Sequence, residues 1–124
     1  RCVLIVENDP VNQKILTGIF QKLAVRHNFV QTRQDALTAL SNPIYNAVLI
    51  DCDRTDLDCY ELVKTIRETE TRPGQHLPVL FASADVLDES RMRYAKAGVD
   101  ALLAKPYVFS DVSETMREIL QKTV

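Results

Sequence analysis

The sequence predicts an α/β three-layer sandwich in which five βα units wind a parallel sheet in the order 2-1-3-4-5. Two observations carry this expectation. Short apolar runs recur without internal alternation, and amphipathic stretches at helical spacing separate them. A strict strand–helix alternation with right-handed crossovers places helices on both sheet faces.

Four runs stand out: Cys2 to Val6, Ala47 to Ile50, Pro78 to Ala82 and Ala101 to Ala104. Each is too short for a helix and reads as a strand buried on both faces. A weaker fifth run lies at His27 to Val30. The first helix is announced by Asp9 as N-cap and Pro10 at its first position, with Val11, Ile15, Ile19 and Leu23 as its apolar stripe. The second covers Arg33 to Leu40 and stops before Asn42-Pro43; the third buries Leu62, Val63 and Ile66. The fourth runs from Asp88 as cap to Gly98 as stop, and the last carries Val108, Val112, Met116 and Ile119 on one face. Glu68 to His76, with Pro73-Gly74, reads as an exposed connection within one domain.

Composition narrows the function. The formal charge of −2 and pI near 5.7 give no basic footprint for nucleic acid. No apolar stretch approaches the roughly 20 residues that span a bilayer, so a cytoplasmic domain without direct membrane contact is expected, whatever anchors the parent protein. Cys2, Cys52 and Cys59 form no C-x-x-C pair and fit reduced, mostly buried thiols. Their spacing to His27 and His76 matches no zinc motif. The chain opens on Arg1 directly before an apolar run, so residues 1–124 read as one domain excised from a longer multidomain protein.

A flavodoxin-like order puts the functional crevice beyond the carboxyl ends of the strands, at the switch between strands 1 and 3. The residues following the runs are Glu7-Asn8-Asp9, Asp51, Ser83 and Lys105-Pro106. Any one of them has an ordinary explanation as a cap or a solvated loop residue. Together they supply a carboxylate nucleophile, acidic groups for a hard cation, a hydroxyl donor and a fixed positive charge, the parts that phosphoryl transfer needs.

Four segments carry a family resemblance. Val3 to Ile15, Val48 to Tyr60 and Leu77 to Ala84, followed by Ala97 to Pro106, resemble the receiver domains of response regulators in two-component signalling. The Asp9-Pro-Val-Asn12 turn leans toward receivers of hybrid sensor histidine kinases. The resemblance implies phosphorylation of Asp51 by a phosphohistidine of a histidine kinase or histidine phosphotransfer domain. It also implies Mg²⁺ as cofactor, Ser83 and Lys105 as phosphoryl-binding and switch residues, and a cis Lys105-Pro106 peptide. A signalling domain follows, catalysing at most its own phosphorylation and dephosphorylation, with the partner helix docking near the first helix.

The chain departs from the family at several positions. Asn8 stands where an acidic metal ligand is usual, and Asp53 where the family lends only a backbone carbonyl, so the expected metal set is Glu7, Asn8, Asp51 and Asp53. Asp53 has three further readings: orienting a hydrolytic water, repelling the phosphoryl group, or lying solvated in the loop. Thr55, Cys59 and Leu102 replace the usual Pro, Gly and aromatic residue. A Cβ at position 59 costs about 1 kcal/mol if φ there is positive. Two alternatives stand beside the main reading. One is a degenerate receiver acting as a phosphorylation-independent interaction module. The other is a haloacid-dehalogenase-like phosphatase, from the Asp51-x-Asp53-x-Thr55 pattern, although two βα units precede that motif.

Overall fold

The computed structural model describes residues 1–121, within which strands and helices alternate. The order is β1 (Cys2–Val6), α1 (Pro10–Lys22), β2 (Arg26–Val30), α2 (Arg33–Leu40), β3 (Ala47–Asp51), α3 (Cys59–Glu68), β4 (Val79–Ser83), α4 (Asp88–Lys96), β5 (Ala101–Ala104) and α5 (Phe109–Gln121). All pairings are parallel and the sheet order is β2-β1-β3-β4-β5. Every residue of β1, β3 and β4 is buried, as expected of central strands covered on both sides. The edge strand β2 is half exposed, which is why its sequence signal is the weakest.

Side chains alternate across the pleat and divide the core in two. Val3, Ile5, Leu49, Leu80 and Leu103 face α1 and α5, meeting Leu16, Ile19 and Phe20 on one and Val112, Met116 and Ile119 on the other. Leu4, Val48, Ile50, Val79 and Phe81 face the opposite layer, meeting Ala36 of α2, Leu62, Val63 and Ile66 of α3, and Tyr94 of α4. Cys2 and Cys59 are buried free thiols and Cys52 is half-buried.

Three local expectations need correction. The buried stripe of α1 is Leu16, Ile19 and Phe20, while Val11 and Ile15 are 65% and 42% exposed. A pure i, i+4 series drifts about 40° per step on a 3.6-residue helix, so Val11 and Ile15 rotate off the face that Ile19 shares with Leu16 and Phe20. Val108 precedes α5 and is exposed. Helix α4 is capped by Leu87, with Asp88 its first residue; the Asp85 carboxylate stands in for the missing cap by accepting from Leu87 N and Ser90 Oγ.

Other signals hold. Asp9 caps α1 by accepting from Val11 N, with Pro10 beginning the helix. Gly98 has φ +95° just past α4. Ala24 is the only non-glycine residue at positive φ among those described, so Cys59 begins α3 without backbone strain there.

Candidate phosphoacceptor site

The strands end in register. Val6 lies beside Ile50, Asp51 beside Ala82, and Ser83 beside Ala104. Ladder hydrogen bonds continue one residue further: Glu7 N donates to Val30 O, Cys52 N to Ala82 O and Lys105 N to Ser83 O. This extension delivers Glu7, Asp51, Ser83 and Lys105 to one edge of the sheet. Glu7, Asp51 and Ser83 are all buried, although each is polar. Buried polar groups at a strand edge require partners, and the partners define the site.

Lys105 Nζ lies 2.5 Å from Asp51 Oδ1, which also accepts the Asp53 backbone N–H at 3.0 Å. Burial works against the Lys105 charge, but the hydrogen bond and charge of Asp51, reinforced by Asp53, hold the ammonium above its ordinary value. The Lys105-Pro106 peptide is cis.

The carboxylate of Asp53 sits across the mouth. Its Oδ1 accepts from Ser83 Oγ at 3.0 Å, its Oδ2 accepts from Ala84 N at 3.0 Å, and Lys105 Nζ lies 3.3 Å from Oδ2. The Ser83 hydroxyl in turn accepts from Asp85 N at 3.0 Å. Ala84 N and the ammonium thus converge with the hydroxyl on one anionic group.

On the other side of Asp51 lies Glu7. Its Oε2 accepts from Asp9 N, while its Oε1 is buried with no hydrogen-bond partner. Burial raises the Glu7 carboxyl above the usual range, the Asp9 N–H lowers it in part, and the Asp51 charge raises it further. An orphaned carboxylate oxygen beside a second carboxylate fits a hard cation such as Mg²⁺, which Glu7 and Asp51 would hold. Asn8 and Asp53, expected beside them, have other partners among the described residues. Asn8 Nδ2 donates to Asp56 Oδ2 at 3.5 Å, and the Asp53 carboxylate is engaged as described. Among the described residues no three His, Cys, Asp or Glu converge in a metal-holding group.

Arg54 was not singled out by the sequence. Its Nε and Nη2 donate to Asp56 at 2.9 Å, its side chain is 6% exposed, and its Nη1 is buried without a partner. The Asp56 hydrogen bonds raise its affinity for the proton, with smaller contributions from Asp51 and Glu7. A fixed cation therefore sits within electrostatic reach of the acidic edge. Ala84 was also missed, because a backbone donor leaves no mark on residue type. Leu102 packs against the core rather than reaching into the site.

A buried aspartate, a lysine and a serine gathered at the strand ends of a parallel α/β domain make up the candidate site. Comparison with known proteins gives the family. The profile of the response regulator receiver domain matches residues 3–117, and the chain belongs to that family. It is 29% identical over 114 residues to the sensor histidine kinase RcsC of Escherichia coli K12, covering 92% of this chain and 12% of RcsC. It is 25% identical to the sensory/regulatory protein RpfC of Xanthomonas campestris, covering 98% of this chain and 17% of that protein. The chain thus spans less than a fifth of these relatives. Among solved structures, it superposes with a TM-score of 0.82 and 26% identity, over 98% of both chains, on the receiver domain of the sensor histidine kinase PA1611 from Pseudomonas aeruginosa PAO1, crystallised with a magnesium ion in its active-site cleft. The TorR receiver domain matches at TM-score 0.85 with 18% identity, a likeness of fold. The chain is a two-component receiver related to those of hybrid histidine kinases, a signalling domain and not a classical enzyme.

Proposed function

We propose that this receiver takes a phosphoryl group onto Asp51 from a phosphohistidine on a histidine kinase or histidine phosphotransfer domain, and that the acyl phosphate switches a partner-binding surface. The observation that carries this reading is the buried Asp51 carboxylate held by Lys105 at 2.5 Å, next to hydroxyl and backbone donors at the end of the adjoining strand. A carboxylate oxygen forms a bond to phosphorus while the P–N bond breaks, and the electron pair leaves with the imidazole nitrogen. Lys105 offsets charge on the outer phosphoryl oxygens as a point charge. Ser83 Oγ and Ala84 N are the donors for the remaining oxygens. Bound Mg²⁺ would supply positive charge against the same oxygens, with Glu7 and Asp51 as its carboxylate ligands and Asn8 adding at most an uncharged amide.

Switching follows from Ser83, which links the site to the start of α4 through Asp85 N. Leu102 has no polar tip, so the response runs through Ser83 and α4 rather than an aromatic rotamer at position 102. The exposed Leu87, which caps α4, and Met92 on the helix are the surface that this movement would reshape. The wider reading is a cytoplasmic receiver segment of a hybrid sensor kinase. No helix among the described residues is long and apolar enough to cross a membrane.

The test is incubation with Mg²⁺ and acetyl phosphate, followed by intact-mass analysis. Wild type gains one phosphoryl group and Asp51→Asn gains none. An unmodified wild type that also ignores beryllium fluoride would instead identify a phosphorylation-independent interaction module.

A further inference from the structure

The Asp53 carboxylate already occupies the place where an anion would bind. It accepts from Ser83 Oγ and from Ala84 N, each at 3.0 Å, and it meets Lys105 Nζ at 3.3 Å. These are a hydroxyl, a backbone amide and an ammonium, the donor set assigned above to the phosphoryl oxygens. The residue is only two positions from Asp51, and the Asp53 N–H is itself tied to Asp51 Oδ1. Its carboxylate is therefore tethered at the acceptor and held there from three places: the end of β4, the turn after it and the residue following β5.

We propose that Asp53 is a built-in anionic ligand of the phosphoryl-binding cradle, which an incoming phosphoryl group must displace before Ser83, Ala84 and Lys105 can engage it. The inference rests on the phosphoacceptor reading of Asp51. It is a statement about occupancy, distinct from simple charge repulsion and from metal binding by Asp53. A tethered competitor lowers the apparent affinity of the cradle by the fraction of time it is bound. It also holds the Ser83 hydroxyl toward the acceptor in the resting protein, so that phosphorylation exchanges one anion for another at that hydroxyl. The free carboxylate, once expelled, lies beside the acyl phosphate on an exposed loop, since its side chain is 38% exposed even when engaged.

Calorimetric titration with beryllium fluoride in the presence of Mg²⁺ separates the possibilities. Asp53→Ala empties the cradle and is expected to bind the probe about tenfold tighter than wild type, the weight of a charge-assisted hydrogen bond that no longer has to be broken. Asp53→Asn keeps an acceptor for Ala84 N but loses the pairing with Lys105, and should fall between the two; it also serves if the alanine variant does not fold. Asp88→Asn, which removes the same charge at the start of α4, should change affinity less than twofold. In the ligand-free protein, the Ala84 amide should exchange faster in Asp53→Ala than in wild type, because its acceptor is gone.

Wild type that binds the probe with an affinity equal to or higher than Asp53→Ala overturns the occupancy proposal and leaves the acceptor reading standing. Equal tightening in Asp88→Asn overturns it too, by reducing the effect to net charge. Unchanged Ala84 exchange shows that the contact is not made. If neither wild type nor the Asp53 variants bind beryllium fluoride or take a phosphoryl group at Asp51, both readings fall together.

Discussion

Lys105 Nζ approaches Asp51 Oδ1 to 2.5 Å across the edge of the sheet, with a cis peptide immediately after the lysine. The pair sets a positive charge beside the carboxylate proposed as acceptor before any phosphoryl group arrives. Replacing Lys105 with Met should slow phosphorylation of Asp51 by acetyl phosphate about a hundredfold, the usual weight of one lost donor to a developing oxyanion. Intact-mass time courses measure it directly.

The same pair sets an alkaline limit. The Lys105 ammonium is held above its ordinary value of 10.5, so its stabilising contribution is fully present below that pH and is lost as pH rises through the elevated folded value. Wild type is therefore expected to lose unfolding free energy above pH 10.5 by a component that Lys105→Met lacks. Below that pH the difference between the two proteins should not vary with Lys105 titration. Denaturant unfolding of both proteins across the alkaline range is the measurement.

Arg67 joins the end of α3 to the connections that lead into β4 and β5. It donates to Leu77 O at 2.8 Å and to Gly98 O at 2.8 Å, and it pairs with Glu70 and Asp100 at 2.9 Å. Arg67→Met would strand two carbonyls and leave the Glu70 carboxylate, 8% exposed, without its counter-charge. A loss of about 2–4 kcal/mol is expected in denaturant unfolding. Gly98→Ala should also destabilise, since its φ is +95° and an added Cβ would lie 3.3 Å from Arg67 Nε.

Helix α1 ends in a pattern that normally uses glycine. Val25 N donates to Phe20 O and Ala24 N to Gln21 O, the paired bonds of a Schellman motif, and Ala24 takes φ 55° between them. An alanine in the left-handed region carries a Cβ penalty that glycine does not. Ala24→Gly should therefore stabilise the fold by about 0.5–1 kcal/mol, raising Tm by a few degrees in calorimetry. A residue that destabilises helix interiors is favoured here because position 24 lies just beyond the helix.

These cases show where sequence reading stops. Strand order and the edge positions of Asp51, Ser83 and Lys105 follow from alternation and topology, because any parallel winding puts the residues after the strands on one edge. The direction of the Asp53 carboxylate does not follow, since its acceptor role involves Ser83, 30 residues away, and depends on the conformation of the loop after β3. The Arg54–Asp56–Asn8 chain is hidden for the same reason: three polar loop residues look solvated until the fold brings residue 8 beside residue 56. The phase of α1 is hidden because four apolar residues spaced by four resemble a stripe, whereas burial follows the tighter cluster Leu16, Ile19 and Phe20.

The residues rotated off the buried face of α1 leave an apolar surface. Val11 and Ile15 are exposed apolar residues in the first half of α1, which begins at the same sheet edge as the acceptor. A helix carrying a phosphohistidine must bring its imidazole to that edge, and apolar residues there are suited to meet its flank. Ile15→Glu costs the fold little, because the side chain is already 42% exposed, but it would put a desolvated charge into such a contact. Transfer from a phosphorylated histidine phosphotransfer domain should slow by about tenfold or more, while phosphorylation by acetyl phosphate stays within twofold of wild type. Parallel time courses with the two donors make the comparison, and equal slowing with both would place Ile15 outside the docking surface and assign its effect to the acceptor site.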